Sequence, residues 1–334
     1  MSDLPDVMPA VVCSRYGGPE VLSVQRLDRP IPTGRDILVE VMASTVSSAD
    51  ARIRAMRVPT GWGLMARLML GMRKPRRPVL GMEMAGVVVA VGPAVTRWTV
   101  GEEVFLMDST RMGCHARFKC IDQSGPIARK PPSLSFEDAA TLPFGGTTAL
   151  YFLERAAVRP GESILIIGAS GAVGTAMVQL ARIRGMRVSA VCSARNAALV
   201  RALGAGEVLD YQQQDGLNTA RTHDVVVDLV GAMSVARMRT FLRRRGRLVL
   251  AVPGINQLLP ALWNQLIDGS RVIVGEAAER SADLEQLARL AASGDLLPVV
   301  DSRWPLRQVA QAHAHVDRGH KVGSVVLQLG EDAC

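Results

Sequence analysis

Ile166-Ile-Gly-Ala-Ser-Gly-Ala-Val-Gly174 joins an apolar stretch, 162–168, to a segment in which Val173, Ala176, Met177, Leu180 and Ala181 recur at helical spacing. As a fingerprint it is Ala169-x-Gly171-x-x-Gly174, with Gly168 just before it. Ala169 replaces the first glycine of G-x-G-x-x-G, and Ser170 fills the next place. Such a motif carries meaning when it follows a strand and opens a helix, as it does here. Gly171 lets the backbone approach a pyrophosphate and Gly174 lets the helix pack closely on the strand. The free N–H groups at the helix start face the anion. The competing reading is a glycine-rich turn in some other doubly wound fold.

Outward from this turn, the C-terminal side alternates strand and helix. A helix over 137–157 precedes the strand 162–168, and the helix 172–184 follows it. Then come a strand at 187–193, a helix at 196–203, strands at 207–211 and 224–231, a helix at 233–244, and strands at 246–252 and 271–275. Apolar strands bounded by glycines and separated by helices imply a parallel sheet covered on both faces, an α/β doubly wound architecture. Helices near 281–293 and 306–318 and a strand at 323–329 close the chain. The N-terminal side differs: short strands at 7–13, 20–27, 35–45, 87–92 and 102–107, broken by Gly and Pro, predict a mostly β, barrel-like domain. Residues 51–78 interrupt that pattern with Met, Leu, Trp62 and at least seven basic side chains. They read as a lid over a substrate pocket or as a membrane-surface helix. Pro59, Gly61, Gly63 and Gly71 break up any long amphipathic helix and favour the lid.

With 334 residues, two domains are expected. The net charge of +8 is carried almost wholly by arginine, since Lys occurs only at 74, 119, 130 and 321. The basic residues are scattered, which argues against nucleic acid and fits an arginine-rich bacterial codon usage and an anionic dinucleotide. Five cysteines without C-x-x-C spacing suggest reduced thiols. The acidic N-terminus has no apolar signal core, and no apolar run reaches membrane-spanning length. A cytoplasmic protein is the expectation.

A site selective for NAD places an Asp or Glu some twenty residues beyond the glycine turn. Here that place reads Cys192-Ser193-Ala194-Arg195-Asn196, without a carboxylate. Ser193 and Arg195 suit a ribose 2′-phosphate, so NADPH is the expected cofactor. The alternative is that Arg195 is a solvated residue at a helix start.

Tyr16-Gly-Gly-Pro-Glu-Val-Leu22, Pro78-Val-Leu-Gly-Met-Glu-Met-Ala-Gly86, the 91–104 segment, the glycine turn, and Leu203-Gly-Ala205 leading into Asp210-Tyr211 together resemble the medium-chain dehydrogenase/reductases. Within that superfamily the chain looks most like the quinone oxidoreductase and zeta-crystallin branch. The resemblance implies a GroES-like substrate domain from 1–136 and 276–334 and a Rossmann domain from 137–275. It places Ser170, Gly171, Ala172 and Val173 along the pyrophosphate, and Ser193, Arg195 and Tyr211 around the 2′-phosphate. Val230, Gly231, Val252, Pro253 and Gly254 would lie at the strand ends, Thr148 at the nicotinamide, and Lys321 and Gly323 over the cofactor. Ser48 and neighbouring Asp50 become the catalytic candidates, and Trp62, Met82 and Phe144 the substrate pocket.

In zinc-dependent relatives three positions hold the metal. Here the resemblance sets Ser47, Met82 and the segment Leu142-Pro-Phe-Gly145 at them, poor ligands beside thiolate and imidazole, and no metal is expected. Cys114, His115 and Cys120 match no zinc spacing. His313, His315 and His320 read as solvated side chains rather than a cluster. Without a metal the electrophile must activate itself, as an enone, enal or quinone does, and a small hydrophobic substrate is expected. His115 is a weaker candidate acid. Two alternatives stay open: a pathway-specific reductase or dehydrogenase of a natural product, and a non-catalytic NADPH-binding protein. A homodimer is implied, with 271–275 as its edge strand.

Overall fold

Residues 4–213, 222–231 and 233–330 are described by the computed structural model. The period-two segments at the N-terminal side become strands. β1 (Val7–Cys13) and β2 (Leu22–Asp28) pair antiparallel, with Val7 opposite Asp28 and Cys13 opposite Leu22. β3 (Asp36–Val46) leads through α1 (Ser48–Ala55) and α2 (Gly63–Leu70) to β4 (Glu83–Val91), β5 (Glu103–Met107), β6 (Phe118–Asp122) and β7 (Ile127–Arg129). α3 (Phe136–Ala140) and α4 (Leu142–Arg155) follow. The expected single helix over 137–157 is thus two, joined at Thr141. Ser135 caps the first, and Pro143, which has no amide hydrogen to donate, starts the second.

Beyond α4 the chain winds as β8 (Ser163–Ile167), α5 (Ala172–Ile183), β9 (Arg187–Cys192), α6 (Ala197–Ala202), β10 (Glu207–Asp210), β11 (His223–Asp228), α7 (Val235–Thr240), β12 (Leu242–Leu250), α8 (Ile255–Asp268) and β13 (Arg271–Ile273). These strands form one parallel six-stranded sheet in the order β10-β9-β8-β11-β12-β13. The predicted helix over 233–244 ends early. Leu242 pairs with His223 instead, through a register shift next to the left-handed Arg245 (φ 60°).

The return is α9 (Ser281–Ala292), β14 (Val300–Pro305), α10 (Val309–Asp317) and β15 (Ser324–Gln328). β14 and β15 rejoin the first sheet, whose order is β14-β15-β3-β4-β5-β7, with β6 also on β3. The fold is therefore α/β, a Rossmann sheet beside a mostly antiparallel GroES-like domain. α3 packs on β3 and β4, while α9 lies against both α4 and β7. One apolar core runs through this junction, joining Ala85, Phe105 and Ala128 of the first sheet to Leu150, Leu153, Ile164 and Met177 of the second half. A shared apolar core thus joins the two halves beside the crevice between them.

Candidate active site

The strand order of the parallel sheet reverses between β8 and β11. At such a switch point the loops leave in opposite directions and open a crevice at the carboxyl ends of the strands. A cleft of about 1000 Å³ lies there. Its floor is the β8–α5 turn. Gly168 takes φ 86°, and a Cβ on Gly174 would stand 2.2 Å from the Gly168 carbonyl oxygen, so only glycine lets α5 approach the turn. A Cβ on Gly171 would touch only that same oxygen, at 3.6 Å, which leaves the cleft side open. No side chain caps the N-terminus of α5, and its first amides are available to an anion.

The expected cofactor residues Ser170, Gly171, Ala172, Val173, Thr148, Ser193, Arg195, Tyr211, Val230, Val252 and Lys321 all line this cleft. Gly231 and Gly254, with Val230 and Val252 again, line an adjoining pocket of about 640 Å³. Gly323 lies over the glycine turn and donates its amide hydrogen to the Ser170 carbonyl at 2.9 Å. Arg195 reaches across to the His320 carbonyl at 3.0 Å, and Asn196 donates to the Ser170 hydroxyl at 3.1 Å. No carboxylate joins the cleft wall beside Ser193. Glu276 and Asp317 are the acids in the lining, and Asp317 is ion-paired to Arg54 at 2.6 Å and to Arg57. Asp210, level with Cys192 on the next strand, accepts instead from the Gln212 amide. Arg52, Arg57, Arg237 and His320 also face the cleft. The three guanidinium groups add positive character suited to phosphate; Arg52 and Arg57 fall in the 51–78 segment expected to cover a substrate pocket, and Arg237 has no counterpart among the sequence expectations.

The catalytic and pocket candidates divide. Ser48 and Phe144 line the cleft. Asp50 does not: it is 1% exposed, and its carboxylate accepts from the Ser47 amide (2.9 Å), the Ser47 hydroxyl (2.6 Å) and the Gly81 amide (3.1 Å). That is a capping box for α1 extended to the turn before β4, a structural use of the acid. Met82 is buried in the barrel core and lies outside the cleft lining. Trp62 is half-buried, and its indole donates to the Pro253 carbonyl at 3.2 Å, outside the cleft. The lid expectation also needs correction. Arg52, Arg57 and residues 58–60 reach the two pockets, but Leu64, Met65, Leu68 and Met69 of α2 point outward.

Behind the wall sits Glu83, 2% exposed, accepting from the Thr45 hydroxyl and from the Phe144 amide at 2.6 Å. Burial pushes its carboxyl up to about 7, against the pull of those two donors. Burial lowers the Lys321 ammonium to about 8, with Asp301 and Glu83 opposing, and its Nζ donates to the Gly323 carbonyl at 2.6 Å. His115 is fully buried against the Thr45 carbonyl and does not reach the cleft. His313 is buried rather than solvated, because its helix face turns into the barrel. His315 pairs with Asp301, and His320 stands at the cleft.

Residues 33–156 match the family described as the alcohol dehydrogenase GroES-like domain, and 203–327 the one described as zinc-binding dehydrogenase. A quinone-oxidoreductase homolog of spinach chloroplasts is 29% identical over 96% of this chain and 98% of its own length. The chain belongs to the medium-chain dehydrogenase/reductase superfamily. It is a quinone oxidoreductase-like member. An NADPH-dependent alkenal/one oxidoreductase of Arabidopsis thaliana is 29% identical over 98% of this chain and 81% of its own length. A quinone oxidoreductase structure from Coxiella burnetii superimposes with TM-score 0.86 at 27% identity, covering 96% of this chain and 99% of the other. An oxidoreductase of this superfamily uses a nicotinamide dinucleotide, and the open face at Gly171 together with the uncapped α5 amides fits one.

A zinc ion, which the second family's description implies, does not fit the corresponding residues. The Ser47 hydroxyl is engaged by Asp50, Met82 offers a thioether inside an apolar core, and 142–145 contains neither Cys nor His. Among the described residues no group of three His, Cys, Asp or Glu is placed to hold a metal. No helix among them is long and apolar enough to cross a membrane.

Proposed function

We propose that this superfamily member is an NADPH-dependent, zinc-independent reductase of a small hydrophobic conjugated enone, enal or quinone. The observation that carries the reading is the wall at the end of β9, where Ser193, Arg195, Asn196 and Tyr211 gather without a carboxylate. An Asp or Glu there would bind a ribose 2′-hydroxyl and repel a 2′-phosphate, whereas a guanidinium and a hydroxyl favour the phosphate. Arg195 is already tethered to the C-terminal return through the His320 carbonyl.

When bound, the reduced nicotinamide supplies the hydride. The chain's own residues bind and orient. The α5 amides and Lys321 receive phosphate, while Thr148 and Phe144 shape the inner wall. The Ser48 hydroxyl is a cleft-lining donor offered to a substrate carbonyl, whereas the neighbouring Ser47 hydroxyl is spent on Asp50. The charge that develops on a conjugated oxygen is then met by a neutral donor and by the surrounding arginines. The proton is drawn from water or a cofactor hydroxyl; of the two acids the sequence offered, neither Asp50 nor His115 lines the cleft. A homodimer formed along the β13 edge completes the proposal.

Fluorescence titration with NADPH and NADH tests the cofactor, and NADPH consumption with a panel of quinones, enals and enones tests the chemistry. NADPH should bind at least tenfold more tightly than NADH, and Arg195→Ala should erase that difference, on the order of 1.5–3 kcal/mol for a charge-assisted contact. Equal affinities in the native chain would refute the assignment. NADPH binding with no turnover on any panel member would favour a cofactor-binding protein without catalysis.

A further inference from the structure

Residues 51–82 contain eight Arg or Lys and no Asp or Glu, matching the net charge of +8 of the whole chain. Arg52 and Arg57 serve the cleft, and Arg54 is buried against Asp317. The other five, Arg67, Arg73, Lys74, Arg76 and Arg77, are all exposed, and none forms an ion pair with a carboxylate of the described residues. Beside them α2 exposes Leu64 (69%), Met65 (53%), Leu68 (56%) and Met69 (70%), with Met72 (53%) just past its end. Positions 64, 65, 68 and 69 share one helix face, while Ala66 and Leu70 on the other side are half-buried. Helix and basic loop are fixed to each other. The Arg76 amide returns to the Leu70 carbonyl at 2.7 Å, and Tyr16 donates to the Gly71 carbonyl at 2.8 Å. A Cβ at Gly71 would meet the Lys74 carbonyl oxygen at 2.2 Å.

We propose that α2 and the loop 71–77 dock this protein onto an anionic lipid bilayer surface, Leu64, Met65, Leu68, Met69 and Met72 entering the headgroup–acyl boundary while Arg67, Arg73, Lys74, Arg76 and Arg77 meet lipid phosphates. An apolar face with a cationic rim is what an interfacial helix requires. A helix of eight residues cannot span a bilayer, and its exposed methionines and leucines line neither the cleft nor the pocket adjoining it. The charge complement selects acidic lipid over an apolar protein partner, whose interface core is depleted in charge. The inference stands apart from the oxidoreductase reading and goes beyond it.

Co-sedimentation of the purified full chain with phosphatidylcholine vesicles, and with equimolar phosphatidylcholine and phosphatidylglycerol vesicles, tests it. The chain should pellet with the acidic vesicles alone, and less so at high salt. Arg76→Glu with Arg77→Glu should lower partitioning on the order of tenfold or more, since each cationic side chain near the surface contributes roughly fivefold. Leu68→Ser with Met69→Ser should lower it as well, with melting temperature and cofactor affinity kept. Equal pelleting on both vesicle types, or no pelleting, would overturn the proposal. So would undiminished binding of the charge-reversed variant. If the Leu68 and Met69 variant instead turned an oligomer into a monomer by light scattering with vesicle binding intact, the face would be a contact between copies, and the proposal would also fall.

Discussion

Glu83 shows how a single buried acid links pH to the architecture of the cleft. Its two oxygens hold the Thr45 hydroxyl and the Phe144 amide, so one carboxyl ties β3 and β4 to the start of α4, whose side chains form the inner wall. Burial raises its pKa from 4.5 to about 7. A carboxyl raised on folding binds its proton more tightly in the native state. Its contribution to stability is therefore full below about 4.5, declines as pH rises, and is lost above about 7. The difference in unfolding free energy between Glu83→Gln and the native protein should shift in favour of the variant by about 3 kcal/mol between those limits. Urea melts at several pH values read this directly, and a difference constant with pH would show that Glu83 does not titrate in that window. In the sequence Glu83 lies in the Pro78–Gly86 segment, ahead of the strand expected at 87–92, and nothing there says which donors meet it. Asp50 reads in the same way as an acid beside a candidate serine, and only the Ser47 and Gly81 contacts reveal it as a cap.

At the scale of elements, the β8–α5 turn separates packing from binding. Gly174 is a packing glycine, and a methyl there would have to push α5 off the Gly168 carbonyl. Gly171 lacks only a substituent on its open side. Gly174→Ala should therefore cost about 1–3 kcal/mol of stability and weaken the dinucleotide. Gly171→Ala should leave the melting temperature within a degree or two and still weaken binding about tenfold or more. Calorimetry paired with cofactor titration separates the two, and a large stability loss in Gly171→Ala would contradict this division. Strands and helices around this turn were legible because period-two and 3.6-residue patterns act locally. Three failures have physical causes. No element is expected between 252 and 271, where Pro253-Gly254 and Pro260 interrupt the pattern, yet a helix forms from Ile255. β14 ends in Trp304-Pro305 with weak alternation and survives as an edge strand, where proline is tolerated. The helix expected over 233–244 stops at Thr240, because pairing with His223 claims Leu242 for the sheet.

For the whole molecule, the cleft depends on contacts far apart in sequence that no local pattern encodes. The Gly323 amide closes on Ser170, and Arg195 reaches His320. Arg54, deep in the N-terminal domain, anchors Asp317 at the end of α10. The proposed pairing of two copies belongs to the same scale. β13 ends the parallel sheet, and the outward amide of its Val272 is held only by the Gln265 side chain, at 2.9 Å. Next to it α8 exposes Leu259, Leu262 and Trp263, the last at 67%. An open strand edge beside exposed apolar side chains is a liability in a monomer, whereas a two-fold pairing of β13 with its copy would cover both and run one sheet through the pair. Exchanging the Gln265 contact for a backbone ladder loses no hydrogen bond. Light scattering on the native chain should give twice the mass of one chain. Leu262→Asp with Trp263→Asp should give the mass of one chain while still binding the dinucleotide, because neither residue lines the cleft. A native monomer would rule out the pairing. A variant that stays dimeric would move the interface away from this edge and leave α8 exposed for some other reason.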